Sequence, residues 1–138
     1  MNRASKILLG IAAELALANA CFAFDLTVEV LNAKSEQGEV AAGLYDARTE
    51  WLQEPLRGLR VPAADKVTIV YRDLPAGTYA VAAYHDQNGN RILDKNLLGV
   101  PKERVGFSRD SRALLGPPGF EASAFELNSD MTITVRLH

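Results

Sequence analysis

The sequence predicts an all-β domain, an antiparallel β-sandwich of about seven strands with one long irregular loop region. The prediction rests on period-two alternation of apolar and polar residues in successive stretches, on the turn residues between them, and on the lack of any sustained helical period. The chain has 138 residues, 48% of them hydrophobic and 23% charged, which suits one globular domain and excludes a disordered or fibrous chain. The net charge of −2 and the absence of a Lys/Arg cluster argue against a nucleic-acid partner.

Residues 1–23 read as a secretory signal peptide. Arg3 and Lys6 form a short basic start, and the residues that follow, through Ala18, are apolar except Glu14. Ala18 and Ala20 are small residues at the positions a signal peptidase reads, so cleavage is expected after Ala20 or Ala23. The apolar run falls short of the roughly 20 residues a membrane span needs, so no transmembrane segment is expected in the mature chain. Cys21 opens a second route, because small residues before a cysteine resemble a lipoprotein signal. There the usual Leu three residues upstream is replaced by Ala18. The protein is thus expected to be periplasmic or secreted, with lipid anchoring through Cys21 as the alternative. Cys21 is the only cysteine, so residues 24–138 form a single domain that depends on its hydrophobic core.

The strands follow in order. Residues 24–30 alternate, with Phe24, Leu26, Val28 and Val30 on one face. Residues 38–46 repeat the pattern through Val40, Ala42 and Leu44. Residues 47–59, around Trp51, Leu52 and Leu56, are the nearest approach to a helix. Pro55 and Gly58 would break it, leaving a turn or one short helix over a sheet edge. Residues 66–73 place Val67, Ile69 and Tyr71 together, and residues 77–85 do the same with Tyr79, Val81 and Ala83. Between them, Leu74-Pro75-Ala76-Gly77 is a turn in which Pro75 presets φ and Gly77 can take positive φ. Residues 121–127 are a weaker strand, and residues 130–137 a clean one through Met131, Ile133, Val135 and Leu137. Arg48, Arg57, Arg60 and Arg72 are expected on a solvated face.

Chemistry is sought in residues 84–120, a stretch rich in Gly and Pro and far longer than an ordinary strand connection. Ordering it costs roughly 1–2 kcal/mol per residue, so buried side chains, an ion or a partner must offset that cost. Leu93, Leu97, Leu98, Val100, Val105, Phe107, Leu114, Leu115 and Phe120 are expected to supply an apolar underside. Asp86, Asn88, Asn90 and Asp94 put oxygen-bearing side chains at relative positions 1, 3, 5 and 9, the alternation by which calcium loops wrap a hard cation, and the Ile92 carbonyl adds a neutral oxygen. The match to a helix–loop–helix calcium loop is incomplete. Gly89 stands at position 4 rather than 6, and Leu97 occupies the place of the bidentate Glu. The expectation is a weak calcium site, about 10⁻⁴–10⁻³ M, with Glu103 or Asp110 available as a further ligand. The competing reading is a set of Asx-rich turns that bind nothing.

His85 raises the question of a hydrolase, with Ser108 and Ser111 downstream, yet no nucleophile elbow or phosphate loop accompanies it. His85, Glu103, Phe107, Ser108 and Phe120 form a possible binding face. Trp51, Tyr45 and Tyr84 are aromatics that would line a groove or cover a sheet edge.

The ordered motifs Leu74-Pro75-x-Gly77-x-Tyr79, Tyr84-His85-Asp86-x-Asn88-x-Asn90-x-x-x-Asp94, Leu98-Gly99-Val100-Pro101-Lys102-Glu103, Gly106-Phe107-Ser108 and Gly116-Pro117-Pro118-x-Phe120-Glu121 resemble the bacterial exported family called domain of unknown function 2141. The resemblance runs over about residues 24–138. It implies export and a sandwich of the immunoglobulin or transthyretin-like, carboxypeptidase-regulatory type, and it assigns no roles to the motif residues. The function expected is therefore an exported, non-enzymatic binding or accessory domain with calcium in the 86–94 loop. A small periplasmic hydrolase using His85 and a structural cell-envelope protein whose loop packs on a partner are the alternatives.

Overall fold

A computed structural model describes residues 22–138. The signal-peptide reading up to Cys21 lies outside the described residues. Among the described residues, eight strands form two sheets: β1 (Ala23–Leu31), β2 (Glu39–Asp46), β3 (Arg57–Pro62), β4 (Lys66–Pro75), β5 (Gly77–Asp86), β6 (Val105–Phe107), β7 (Phe125–Leu127) and β8 (Met131–Arg136). One sheet runs β4-β1-β8. The other runs β3-β2-β5-β6, with β7 also pairing β5. Among the described residues, helix is confined to a 3₁₀ turn at Ser108–Asp110 and one turn, α1, at Phe120–Ser123.

The period-two faces pack as the alternation predicts. Leu26, Val28 and Val30 of β1, Val40, Ala42 and Leu44 of β2, Ile69 and Tyr71 of β4, and Tyr79, Val81 and Ala83 of β5 meet in one buried core. The Tyr71 hydroxyl crosses between the sheets and donates to the Ala42 carbonyl at 2.9 Å. That bond satisfies a phenol which would otherwise be buried unpaired.

The sandwich is not purely antiparallel. β8 lies parallel to β1, Val28 opposite Ile133 and Val30 opposite Val135. Alternation specifies which face is buried, not which strand lies alongside, so this pairing carries no local signal. Residues 57–62 are also strand rather than the end of a turn or helix. Gly58 pairs with Gly43 inside the sheet, and the preceding residues make turns alone. As an edge strand β3 is short, ends in Pro62 and carries Arg57 and Arg60, features that block further pairing. Residues 121–127 divide between α1 and the three-residue β7.

The Leu74-Pro75-x-Gly77-x-Tyr79 turn works differently from the expectation. Gly77 is not at positive φ; Asp73 is, at 55°. An extra β4 residue there shifts the register against β1, and Asp25 Oδ1 accepts from the Asp73 amide at 3.1 Å. Such a bulge uses a residue in the left-handed region, which Asp tolerates better than most. The Tyr79 hydroxyl reaches back to the Pro75 carbonyl at 2.7 Å.

The second sheet closes on the first at β6. Val105 and the terminal His138 exchange backbone hydrogen bonds at 3.2 and 2.9 Å. Gly106 faces the Arg136 carbonyl so closely that an added Cβ would stand 2.2 Å from it. Gly106→Ala is expected to cost about 2–3 kcal/mol by forcing β6 and the chain end apart, read as a lower urea midpoint at unchanged slope. A midpoint equal to wild type would show that the two segments separate freely.

Candidate functional site

The alternation that buries Tyr79, Val81 and Ala83 also buries His85 on the core side of β5. Tyr84 and Asp86 fall on the opposite side. Their register neighbours there are Ala41 and Glu39 of β2, and Arg60 of β3 lies opposite Ala41. Four polar side chains thus share the outer face at one end of this sheet. Arg60 Nη1 donates to Asp86 Oδ2 at 2.9 Å and to Glu39 Oε2 at 3.3 Å, while Nη2 donates to the Tyr84 hydroxyl at 2.8 Å. Arg60 is thus not part of a solvated face. Arg48 and Arg72 are, pairing at the surface with Asp46 and Asp25.

Asp86 is fully buried. Its Oδ2 also accepts the Arg91 amide at 2.8 Å, which turns the carboxylate into the loop that follows β5. Burial pulls its pKa upward, but the Arg91 amide and the Arg60 guanidinium outweigh that and hold it below the ordinary carboxylate value. The other oxygen, Oδ1, is buried without a hydrogen-bond partner.

Polar side chains within the loop bond to one another and to its backbone. Asn88 Nδ2 donates to Asp94 Oδ2 at 2.7 Å, and Asn90 Nδ2 to both Asp94 oxygens at 2.9 and 3.1 Å. The Asn88 and Asn90 carbonyl oxygens accept the amides two residues on, from Asn90 and Ile92, as Asx turns. Glu103 folds back over the loop: Oε1 accepts the Gln87 amide and Oε2 the Asp94 amide, each at 3.2 Å. Asp110, the other further ligand considered, lies elsewhere and meets His138 and Arg112. Among the described residues, no three His, Cys, Asp or Glu side chains converge as a metal set, so any cation here would need Asn and backbone oxygens in addition to carboxylates.

The possible binding face does not assemble as one surface. The His85 ring is buried, with Nδ1 accepting from the Lys34 amide at 3.1 Å and Nε2 facing the Gln37 carbonyl at 2.6 Å. Those two bonds assign the proton to Nε2. Ser108 is buried four residues further back along β5, where its Oγ accepts from Val81 N at 2.9 Å and donates to the Ser123 carbonyl. It stands in the gap between β6 and β7 and replaces the ladder bond that neither strand supplies there. His85 and Ser108 are therefore not brought together. Phe107, opposite Ala82 in the middle of β5, and Phe120 pack on Trp51 instead, with ring centroids 6.1 and 5.8 Å from it, and Trp51 is 4.9 Å from Tyr45. Trp51 Nε1 donates to the Pro118 carbonyl at 2.9 Å, so this cluster pins the Pro118 segment to the sheet. Tyr84 is a partner of Arg60 instead.

The sequence reading missed Gly38 as well as the role of Arg60. Gly38 has φ +74° and packs so closely that a Cβ would stand 2.0 Å from the Asp86 carbonyl. Its place just before a strand was a signal for a turn, but nothing local points to Asp86.

Fold and site together define a small two-sheet β domain whose longest loop is closed over a buried, arginine-paired aspartate. The family described as an uncharacterized protein conserved in bacteria, DUF2141, matches residues 28–134, and the chain belongs to that family. Searches of curated proteins and of solved structures each give no significant match.

Proposed function

We propose that this chain is an exported, non-enzymatic binding module whose working part is the loop after β5, ordered by weakly held calcium. The ligands are Asp86, Asn88, Asn90, the Ile92 carbonyl and Asp94. The observation that carries the reading is the unpartnered Oδ1 of Asp86, in a fully buried carboxylate turned into the loop. A buried acceptor without a donor costs free energy that a cation would recover. The Asn88 and Asn90 side chains supply the rest. Turning either amide by half a turn exchanges nitrogen for oxygen at the cost of its Asx-turn bond to the Asn90 or Ile92 amide, so a cation that repays that loss finds oxygens beside Asp94. Arg60 cancels part of the Asp86 charge and no bidentate Glu closes the ring, so affinity stays in the weak range of extracellular calcium modules. The commitment of the His85 ring to Lys34 and Gln37 supports a structural role for it rather than that of a base.

The test is thermal melting in calcium against chelator. With a dissociation constant of about 10⁻⁴ M, 10 mM calcium stabilises by about 2.7 kcal/mol and raises Tm by several degrees. Magnesium at the same concentration should do much less, because it resists all-protein cages. Asp94→Ala should abolish the calcium shift. Identical melting curves in calcium and chelator, or a shift that survives Asp94→Ala, would refute the site.

A further inference from the structure

Beyond Asp94 the loop continues into a hairpin tip, and its side chains contradict the expected apolar underside. Leu97 and Leu98 are fully out in solvent at 106% and 88% exposure, and Val100 is more than half exposed. The tip is nevertheless built. Lys95 and Pro101 bridge as antiparallel neighbours. Asn96 closes the five residues between them: its amide donates to the Val100 carbonyl at 2.8 Å, and its own carbonyl accepts the Gly99 amide at 3.0 Å. Its Oδ1 accepts the Leu98 and Val100 amides at 2.9 and 3.0 Å. Gly99 takes φ +78° to make the bend.

Two features of this tip go together. Its amides at Asn96, Leu98, Gly99 and Val100 are all paired internally, which water-facing backbone does not require but backbone leaving water does. Its apolar side chains are contiguous, where a surface exposed only to water scatters them singly. Lys95 and Lys102 flank the tip, both exposed; Asp94 and Glu103 adjoin them on the side away from the tip, and no acidic residue lies between the two lysines. Long cationic side chains beside an apolar wedge suit an interface where the wedge enters hydrocarbon and the ammonium groups remain at phosphate level.

We propose that the 95–102 tip is a membrane-docking wedge for anionic lipid surfaces, with Leu97 and Leu98 entering the acyl boundary and Lys95 and Lys102 meeting lipid phosphates. The flanking cations favour a lipid surface over an apolar pocket on a protein. The wedge is braced by Asn96 and does not depend on calcium in the neighbouring loop.

The experiment is sedimentation with phosphatidylglycerol-containing vesicles and with pure phosphatidylcholine vesicles. Residues 7–18 are themselves apolar except Glu14, so the deciding comparison is between chains that differ only at the tip. Leu97→Ser/Leu98→Ser should weaken binding to the anionic vesicles at least tenfold. Lys95→Gln/Lys102→Gln should weaken it several-fold and flatten its salt dependence. Leu97→Trp should show a blue-shifted emission on those vesicles after subtraction of the parent chain, whose only tryptophan is Trp51. Equal vesicle binding by the serine variant, or an emission from the Leu97→Trp variant that does not shift on vesicles, would overturn the proposal. Either result would leave a protein pocket as the occupant of the tip.

Discussion

Replacing Arg60 with methionine is expected to lower stability by about 3 kcal/mol, far more than a surface arginine would. The Asp86 carboxyl is fully buried, and Arg60 is its only side-chain partner among the described residues. Removing the guanidinium leaves an ionised group in a dry site with backbone amides as its remaining partners. Methionine keeps the aliphatic reach over the sheet, so the loss reports charge and hydrogen bonding rather than packing. The same variant should change acid sensitivity. In the native protein Asp86 titrates below its unfolded value, about 3.9. It therefore stabilises above that pH, and the contribution is lost as pH falls through the folded value. Without Arg60 the folded value rises, so acid unfolding should begin at higher pH. Asp86→Asn should remove this part of the pH dependence altogether. Urea unfolding of the three proteins between pH 3 and 7 makes the comparison, and parallel acid limbs in all of them would exclude Asp86 as the acid-sensitive group.

Gly38→Ala is expected to cost about 3 kcal/mol, from a Cβ driven into backbone and a left-handed φ imposed on a branched centre. The atoms it would meet are the Asp86 and Gln87 carbonyls, at 2.0 and 2.7 Å, and backbone at the end of a central strand cannot swing aside. The segment before β2 must move instead. That segment supplies the Lys34 amide and the Gln37 carbonyl to His85, so the imidazole resonances should shift in a nuclear magnetic resonance spectrum even where the variant still folds. Gly89→Ala is the control. Gly89 also has positive φ, at 69°, but open space around it, so it should cost only about 1 kcal/mol. A Gly38 variant no less stable than the Gly89 one would mean that the approach to Asp86 is not a tight constraint.

Much of the fold was legible because burial on one side of a strand writes itself as period two. The β1, β2, β4, β5 and β8 stretches all show it, and all pack by it. The shorter strands did not show it. β6 and β7 have three residues each, too few for a period, and β3 is an edge strand with little buried surface. At the loop, oxygen-bearing residues at alternate positions did mark a turn whose side chains converge, as the Asn88, Asn90 and Asp94 bonds show. The partners of that turn were another matter. Arg60 reaches Asp86 from 26 residues away, Glu103 returns from 16 residues beyond Gln87, and Gln37 meets His85 across 48.

The sequence by itself determined which residues face the core, where the chain turns, and which loop gathers the oxygen-bearing side chains, because each is a property of a few consecutive residues. Tertiary structure alone decided that β8 runs parallel to β1, that His85 and Ser108 are held apart, and that Arg60 is the counter-charge of Asp86. It also decided that the Leu97-Leu98 tip faces outward. Those outcomes depend on which distant segments come within hydrogen-bond reach, and local alternation is silent about distance through space.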